Sequence, residues 1–325
     1  MLLFPEPCSI ADALIVGAQQ CLSGPVGADQ VNFHADALAD AKIDAQVLLC
    51  AVLDCNRAYL HTWSDKTLSD TQSAQYKQFI QQRKRGEPVA YILGYQEFYG
   101  REFLVSPATL IPRPETEQLV DVIIDKIAEL SEVAKLGESP ESPESPESPE
   151  RANVDYTTAR VLDLGTGTGA IAISAALECP SICVQAVDFV PAAVVLAKQN
   201  AQRLIHNHAE RVTILQSDWF TQVSGTFDII VSNPPYVELD SEYLAQGDVR
   251  FEPDSALTAA DNGLADIKLI VAQAPDYLHK GGWLLIEHGY QQADSIQQLF
   301  TAKGFSQVAT LCDYAQHPRI TLGQK

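Results

Sequence analysis

The stretch ARVLDLGTGTGAIAISAALE, residues 159–178, decides the fold class of this 325-residue chain. Its apolar start predicts a buried strand, and residues 170–178 have the composition of a helix. Gly165, Gly167 and Gly169 separate the two elements, and such small residues let a ligand approach the backbone closely. The spacing differs from the dinucleotide pattern G-x-G-x-x-G, so a tight turn without a ligand remains the alternative.

Downstream, apolar strand-like segments alternate with helical segments. The further predicted strands are ICVQAVD, VTILQSD, FDIIVSN, WLLIEHG, FSQVATLCDY and PRITLG. Continuous apolar strands that alternate with helices indicate an α/β fold with a mostly parallel sheet covered on both faces. In such sheets ligands bind at the carboxyl ends of the strands, and we therefore look for chemistry there.

The first part of the chain has a different texture. Residues 1–88 predict a small helical domain, in which Asp12 and Asp40 are expected as caps or first-turn acids and Gly86 as a helix stop. Residues 89–112 are rich in Tyr, Phe, Val and Ile and predict a β-hairpin linker.

Residues 113–325 form the second predicted domain, which opens with a helix whose first turn contains Pro114. At 138–150 the chain repeats Ser-Pro-Glu, a pattern that cannot bury a core and whose prolines exclude a regular helix. We expect an extended solvent loop, with partner binding as the alternative.

Composition limits the function classes. The net charge of −20 and the pI of about 4.6 repel phosphates, so non-specific nucleic-acid binding is not expected. The basic cluster Arg83-Lys84-Arg85 is expected to be the solvated end of a helix. Seven cysteines without a CxxC pattern argue against a disulfide framework or a zinc site. Without a signal peptide or an apolar run of about 18 residues, we expect a cytoplasmic protein.

Two strand ends carry residues suited to an adenosyl ligand. Asp188 ends ICVQAVD, where an acid can accept hydrogen bonds from both ribose hydroxyls of NAD or of another adenosyl compound. The alternative is a cap for the helix that starts near Pro191. In SDWF, Asp218 and Trp219 can hold an adenine by one hydrogen bond and one stacking face, with ordinary packing as the alternative.

The segment NPPY follows the strand FDIIVS. Pro234 and Pro235 lack N–H groups, so the loop offers acceptors and few competing donors. A planar NH₂ group can give one hydrogen to the Asn233 side chain and the other to the Pro234 carbonyl, while Tyr236 packs on its flat face. Fixing both hydrogens aims the nitrogen lone pair at an electrophile, which catalyses by positioning and without a general base. An adenosyl ligand that carries an electrophile and faces an NH₂ group points to S-adenosylmethionine and methyl transfer.

At this point the chain resembles the peptide chain release factor glutamine methyltransferases. Six motifs in the family order carry the resemblance, from about residue 90 to the end: GYQEFYGREFLVSP, LIPRPETEQLV, DLGTGTGAIAI, NPPY, FEPDSALTAADNGLADI and DYAQHPRITLG. The resemblance implies a class I, Rossmann-like methyltransferase with a seven-stranded, mostly parallel sheet and a small N-terminal all-α domain. The Ser-Pro-Glu repeat is an insertion for which the resemblance implies no role.

The resemblance also implies the reaction and its residues. The substrate would be the glutamine amide in the Gly-Gly-Gln motif of class I release factors, and the products N5-methylglutamine and S-adenosylhomocysteine. Asn233, Pro234 and Tyr236 would be catalytic and, with Pro235, would bind the substrate. The cofactor would be held by Gly165, Thr166, Gly167, Thr168, Gly169, Asp188, Trp219 and Asn233, with Arg113, Pro114 and Glu115 lining the same side of the cleft. We expect no metal, a helical domain that docks the release factor, no direct contact with nucleic acid or membrane, and a monomer.

Three other functions compete. An adenine-N6 DNA or RNA methyltransferase shares the fold and NPPY, but it needs a basic recognition face, and only residues 83–85 are clustered cations. A non-enzymatic binding module would tolerate the loss of a motif, yet Gly165, Asp188 and Asn233 are all present. An NAD-dependent dehydrogenase does not explain NPPY.

Overall fold

The computed structural model describes residues 4–23, 34–137, 158–205 and 209–325. The predicted Ser-Pro-Glu loop at 138–150 lies outside these residues. The chain divides into two compact units, of which the second contains the sheet. The first unit comprises Met1–Gln96, Val105–Pro107 and Asp240–Glu252, and the second comprises Glu97–Leu104, Ala108–Leu239 and Pro253–Lys325.

The first unit is helical in its described part. Its helices are α1 (Ile10–Leu22), α2 (His34–Leu53), α3 (Arg57–Thr62), α4 (Asp70–Lys84) and α5 (Val89–Leu93). Helix α1 begins with a capping box, in which the Ser9 hydroxyl accepts from the Asp12 N–H at 3.1 Å and the Asp12 carboxylate accepts from the Ser9 N–H at 3.2 Å. Asp12 is therefore the predicted first-turn acid. The same prediction for Asp40 is wrong, because α2 already includes His34 and places Asp40 in its interior.

The basic cluster lies at the end of α4, as predicted, but the prediction that it is solvated is wrong for Arg83. Arg83 is only 8% exposed. Its guanidinium group donates to Asp44 and to Asp248, each at 2.6 Å. Burial raises the pKa of Asp44, and the positive charge of Arg83 opposes that shift. Arg83 is thus the centre of an ion-pair network within the first unit, and only its neighbour Arg85 is exposed.

The predicted β-hairpin linker is shorter than residues 89–112. Residues Val89–Leu93 form α5, which Pro88 precedes and Gly94 ends in the left-handed conformation at φ 80°. The apolar run VAYIL is too short for its periodicity to distinguish a strand from a helical turn. The hairpin itself joins β1 (Tyr95–Phe98) to β2 (Arg101–Leu104) through Tyr99 and Gly100, both at positive φ.

A seven-stranded sheet forms the centre of the second unit, as predicted. Its strands are β3 (Ala159–Leu164), β4 (Ile182–Asp188), β5 (Val212–Gln216), β6 (Phe227–Ser232), β9 (Leu278–Glu287), β10 (Ser306–Cys312) and β11 (Pro318–Gln324), and a separate pair consists of β7 (Val237–Glu238) and β8 (Thr258–Ala259). The order across the sheet is β10-β11-β9-β6-β3-β4-β5. Only β11 runs antiparallel to its neighbours, so the sheet is mostly parallel.

Helices cover both faces of this sheet. They are α6 (Glu117–Gly137), α7 (Ala170–Glu178), α8 (Pro191–Leu204), α9 (Ala265–Tyr277) and α10 (Ala293–Lys303), with one-turn helices at Asp254–Leu257 and Ala260–Gly263. Successive residues of β3 illustrate the two faces. Val161 belongs to the cluster formed with α6, α7 and α8, and Leu162 to the cluster formed with α9 and α10. Burial on both faces explains why the strands are apolar throughout and not alternating.

Candidate active site

The carboxyl ends of the parallel strands surround a pocket with a volume of about 300 Å³. The pocket lies within the second unit. Its lining comes from the segment before α6, from the turns after β3, β4, β5 and β6, and from the start of α9. These are the positions at which a parallel sheet binds its ligands.

The glycine turn after β3 requires glycine for two different reasons. Gly165, Gly167 and Gly169 have φ values of 72°, 56° and 82°, which favour residues without a side chain. A Cβ atom at Gly165 would lie 3.6 Å from the Trp219 ring at the pocket, whereas one at Gly169 would lie 2.8 Å from Ile173 in the core. Gly169 therefore serves the packing of α7, and Gly165 keeps the pocket wall open.

Asp163, the residue before the last one of β3, supports this turn from below. It is fully buried, and its Oδ2 accepts a hydrogen bond of 2.6 Å from the Thr166 hydroxyl. Its Oδ1 has no partner among the described residues. Burial raises the pKa of Asp163 to about 7, against the opposing hydrogen bond from Thr166.

Asp188 holds the same turn from the neighbouring strand. Its Oδ2 accepts the Gly167 N–H at 2.8 Å and its Oδ1 accepts the Val190 N–H at 2.9 Å. Burial raises the pKa of Asp188, and these two backbone donors oppose the rise. A carboxylate has about four lone-pair sites, so both oxygens keep the capacity to accept from a ligand.

Trp219 also lines the pocket and has a left-handed backbone conformation, at φ 45°. The Ser217 hydroxyl donates to the Trp219 carbonyl at 2.8 Å and holds this turn. The Trp219 side chain hydrogen-bonds to Asp266, whose pKa is nevertheless raised by burial. The ring is thus fixed beside Gly165, where an aromatic ligand can stack.

Asn233 follows β6 and is held by a residue from before α6. Its Nδ2 donates to the Thr116 hydroxyl at 3.1 Å. The preceding Ser232 hydroxyl donates to the Leu164 carbonyl at 2.7 Å, which ties the end of β6 to β3. Asn233 and Pro235 line the pocket, and Pro234 is buried.

Glu287, at the end of β9, lies behind Asn233. The strands β6 and β9 are paired with Ser232 opposite Ile286, so Asn233 and Glu287 follow at adjacent positions. Glu287 is 2% exposed, and its Oε2 has no partner among the described residues. Burial raises its pKa to about 7, and hydrogen bonding from Thr116 and Asn233 opposes the rise.

Tyr236 is held through its backbone. Its carbonyl accepts from Gln292 Nε2 at 3.0 Å, and the same nitrogen donates to the Asn262 carbonyl at 3.2 Å. Asp261, Asn262 and Gly263 all have positive φ, which brings Gly263 directly against the Tyr236 carbonyl. A left-handed turn and one glutamine therefore fix the end of the Asn-Pro-Pro-Tyr segment.

The pocket brings most of the predicted site residues together, although their roles stay predictions. The predicted residues in its lining are Arg113, Gly165, Thr166, Gly167, Thr168, Asp188, Asp218, Trp219, Asn233 and Pro235. Five others do not line it. Pro114 and Glu115 are exposed, Gly169 faces the core, Pro234 is buried, and Tyr236 packs against the apolar cluster under α9 and α10.

Several residues of the site were not predicted from the sequence. Thr109, Phe189 and Asp266 line the pocket, as does Thr116, while Glu287 supports Asn233 from behind. The sequence feature that could have identified Thr116 is its place in the RPET segment, next to the predicted residues Arg113 and Glu115. Glu287 ends a strand of the parallel sheet, which is the criterion that pointed to Asp188 and Asn233.

A seven-stranded, mostly parallel sheet with a glycine turn after its first strand and Asn-Pro-Pro-Tyr after its fourth defines a Rossmann-like methyltransferase. Family models agree: the PrmC N-terminal domain matches residues 31–94, and the methyltransferase small domain matches residues 151–247. A crystal structure of the hMettl16 catalytic domain in complex with a MAT2A 3′UTR hairpin is similar in fold. It has a TM-score of 0.51 and 13% identity and covers 80% of this chain and 84% of that one.

Curated relatives share far more sequence. The release factor glutamine methyltransferase of Vibrio cholerae is 45% identical over 87% of this chain and 89% of its own length. The enzyme of the same name from Shewanella oneidensis is 43% identical over 94% and 96%, and that from Escherichia coli 42% identical over 86% and 91%. The chain belongs to the family of release factor glutamine methyltransferases, and it is an enzyme. A helix with the length and hydropathy of a membrane span is absent from the described residues.

Proposed function

We propose that this enzyme transfers a methyl group from S-adenosylmethionine to the side-chain amide nitrogen, N5, of the glutamine in the Gly-Gly-Gln motif of class I peptide chain release factors. The observation that carries the proposal is the hydrogen bond from Asn233 Nδ2 to Thr116, which leaves the amide oxygen of Asn233 to accept from a substrate NH₂ group. The names of relatives at 42–45% identity support the substrate class.

The charge of the pocket suits S-adenosylmethionine. Among the described lining residues, Asp188, Asp218 and Asp266 are acidic and Arg113 is the one cation. An acidic, half-enclosed site favours a cationic ligand over a polyphosphate. When bound, S-adenosylmethionine supplies an electrophilic methyl group on its sulfonium sulfur and leaves as S-adenosylhomocysteine.

The residues that would hold this ligand fit its chemistry. The backbone of Gly165 to Thr168 offers close approach, and both oxygens of Asp188 keep acceptor capacity for ribose hydroxyls. Trp219, fixed beside Gly165, offers an aromatic face. No metal is proposed.

The catalytic role that we assign to the chain is positioning. Asn233 Oδ1 and the Pro234 carbonyl would each accept one hydrogen of the substrate amide, with Pro235 and Tyr236 completing the loop around it. Holding both hydrogens aims the nitrogen lone pair, and the methylated nitrogen gives up a proton readily without a dedicated base. Asn233→Ala should therefore reduce turnover by about 10² or more while affinity for the cofactor stays within several-fold.

We further propose that the helical region of residues 1–88 docks the release factor. The reaction would take place in the cytoplasm, with the enzyme acting as a monomer and making no direct contact with nucleic acid. The burial of Arg83 supports the last point, because it removes one cation from the sequence's clearest basic cluster.

The test is a mass spectrum of a purified class I release factor after incubation with the enzyme and S-adenosylmethionine, with an adenine-containing DNA duplex run in parallel. One added methyl mass on the Gly-Gly-Gln peptide, and none on DNA, is the expected result. Methyl transfer to DNA alone would reject the protein substrate. Methyl transfer to neither, with the cofactor still bound, would also reject it. Near-normal turnover of Asn233→Ala would reject the proposal that Asn233 and Pro234 hold the substrate amide for methyl transfer.

A further inference from the structure

We propose that Thr116 and Glu287 are positioning residues that fix which way the Asn233 amide faces, so that its oxygen, and not its nitrogen, meets the substrate amide. This inference rests on the proposed function and adds two residues that do not themselves touch the reacting atoms. It concerns the orientation of the Asn233 side chain, on which the holding of the substrate amide depends.

The orientation of an asparagine amide is not decided by shape. Its oxygen and its NH₂ group are nearly the same size, so only the surrounding hydrogen bonds distinguish the two orientations. With Nδ2 toward the substrate, two NH₂ groups would face each other and neither would accept. The protein therefore needs an acceptor behind Asn233, on the side away from the pocket.

Thr116 supplies that acceptor. Its hydroxyl oxygen receives the Asn233 Nδ2–H at 3.1 Å, from a position 117 residues earlier in the chain. A hydroxyl group can also donate, and a freely rotating one would accommodate either orientation of the amide. A second group must therefore fix the direction of the Thr116 proton.

Glu287 is that second group. Its carboxyl group hydrogen-bonds with both Thr116 and Asn233. In its ionised form this carboxylate only accepts, and it then draws the Thr116 proton and an Asn233 Nδ2 proton toward itself. Both interactions turn the Asn233 nitrogen inward and its oxygen outward.

The cost of Glu287 argues for such a role. The residue is 2% exposed, and its Oε2 is buried without a partner in the described part of the chain. A buried, unsatisfied carboxyl oxygen destabilises a fold, and an apolar side chain of the same size would avoid that penalty. Glu287 is not among the residues that line the pocket, so direct contact with a ligand does not explain it.

The first experiment compares Thr116→Val with Thr116→Ser in the full chain. Valine keeps the shape and removes the hydroxyl group, and serine keeps the hydroxyl group. Thr116→Val should lower kcat for release factor methylation by about 10-fold or more, whereas Thr116→Ser should retain most of it. The dissociation constant for S-adenosylhomocysteine should change little in either variant, because the substitution affects the orientation of Asn233 and not the binding of the cofactor.

The second measurement separates positioning from general structure. In the Asn233→Ala background, Thr116→Val should cause no further loss of kcat, since the residue that it orients is gone. An additive loss in the double variant would overturn the proposal. So would normal kcat in Thr116→Val alone.

A second pair of substitutions tests the role of Glu287. Glu287→Gln retains a carbonyl acceptor, and Glu287→Met has a similar length without one. The methionine variant should reproduce the Thr116→Val phenotype, and the glutamine variant should keep more activity. Equal activity of the two would remove Glu287 from the network. If Glu287→Met does not fold, the Thr116 pair still decides the proposal.

A substrate-independent measurement distinguishes failure of this inference from failure of the proposed function. In protein labelled with ¹⁵N-asparagine, the Asn233 side-chain NH₂ signal, assigned by its loss in Asn233→Ala, should exchange slowly in the unmodified enzyme and in Thr116→Ser. It should exchange faster in Thr116→Val. Absence of methyl transfer to any release factor would reject the proposed function alone, whereas identical exchange in both Thr116 variants would reject the positioning network.

Discussion

The Asp188 carboxylate accepts the backbone N–H of Gly167 at 2.8 Å. The acid that the sequence predicts to bind ribose is therefore also a support of the glycine turn that lines the pocket. Its other oxygen accepts the Val190 N–H, so one side chain joins the turns after β3 and β4. Loss of Asp188 should consequently affect the shape of the site as well as a ligand contact.

We expect Asp188→Ala to weaken binding of S-adenosylhomocysteine by about 10- to 100-fold, because hydrogen bonds to a charged group contribute about 1.5–3 kcal/mol. Asp188→Asn keeps one acceptor oxygen and should lose less. Isothermal titration calorimetry measures both, with Asp276→Ala, on the exposed side of α9, as the control. Equal affinities of the alanine and wild-type proteins would show that Asp188 holds neither the turn nor the ligand.

Gly263 is a position where the backbone geometry requires glycine. It has φ 76°, and a Cβ atom there would lie 2.1 Å from the Tyr236 carbonyl oxygen. Gly263→Ala should reduce the free energy of unfolding by about 3 kcal/mol or more and also lower turnover, since the clash falls on the Asn-Pro-Pro-Tyr segment.

Gly304→Ala is the matched control for this substitution. Gly304 also has positive φ, at 95°, but a Cβ atom there meets nothing within 4 Å. It should lose only about 1 kcal/mol, the cost of the left-handed conformation, with normal turnover. Urea unfolding and initial rates compare the two. Similar losses of stability and turnover in both variants would mean that the Tyr236 backbone moves away from the added Cβ atom at little cost.

Arg83 gives a prediction for the first unit. Arg83→Met leaves Asp44 without its cation in a site where that carboxylate is 20% exposed. We expect a loss of about 2–3 kcal/mol in the free energy of unfolding, less than for a fully buried pair because Asp248 is 36% exposed. Arg85→Met, at the exposed neighbouring residue, should change stability by less than about 0.5 kcal/mol. A similar small change for Arg83→Met would indicate that the network contributes no net stability.

The sequence predicted the sheet well, since its strands are buried on both faces and their apolar runs are unmistakable between glycine turns. It predicted the two ends of the site, Asp188 and Asn233, because both lie directly behind such runs. It could not predict the link between Thr116 and Asn233, which are 117 residues apart. The contact joins the turn before α6 to the residue after β6, and no local pattern encodes where that turn lies against the sheet.

Local ambiguity explains the other differences. VAYIL forms α5 and not a strand, because five apolar residues fit either period and Gly94 ends them as a helix. Arg83 lies in a sequence that is otherwise typical of a solvated helix end, and its two ion-pair partners, Asp44 and Asp248, come from distant segments that the sequence does not connect to it. Gly169 shares the spacing of its pocket-lining neighbours, but its contact is with Ile173.

The buried carboxyl group of Asp163 makes the stability of the enzyme depend on pH. Its pKa is raised from 3.8 to about 7, so the folded state holds this proton more tightly than the unfolded state does. The stability that the protonated group contributes is present below about pH 4 and is lost as the pH rises toward 7. The Asp163→Asn variant does not titrate at this position. Relative to that variant, the wild-type protein should lose about 1–3 kcal/mol of stability over this pH range, and the difference should level off above about pH 8.

Urea unfolding of both proteins without cofactor at several pH values measures this difference. Other titrating groups are common to the two proteins and cancel, and Asp276→Asn, at an exposed carboxylate, should run parallel to the wild type. Parallel curves for Asp163→Asn as well would mean that Asp163 remains ionised beneath the glycine turn over this pH range.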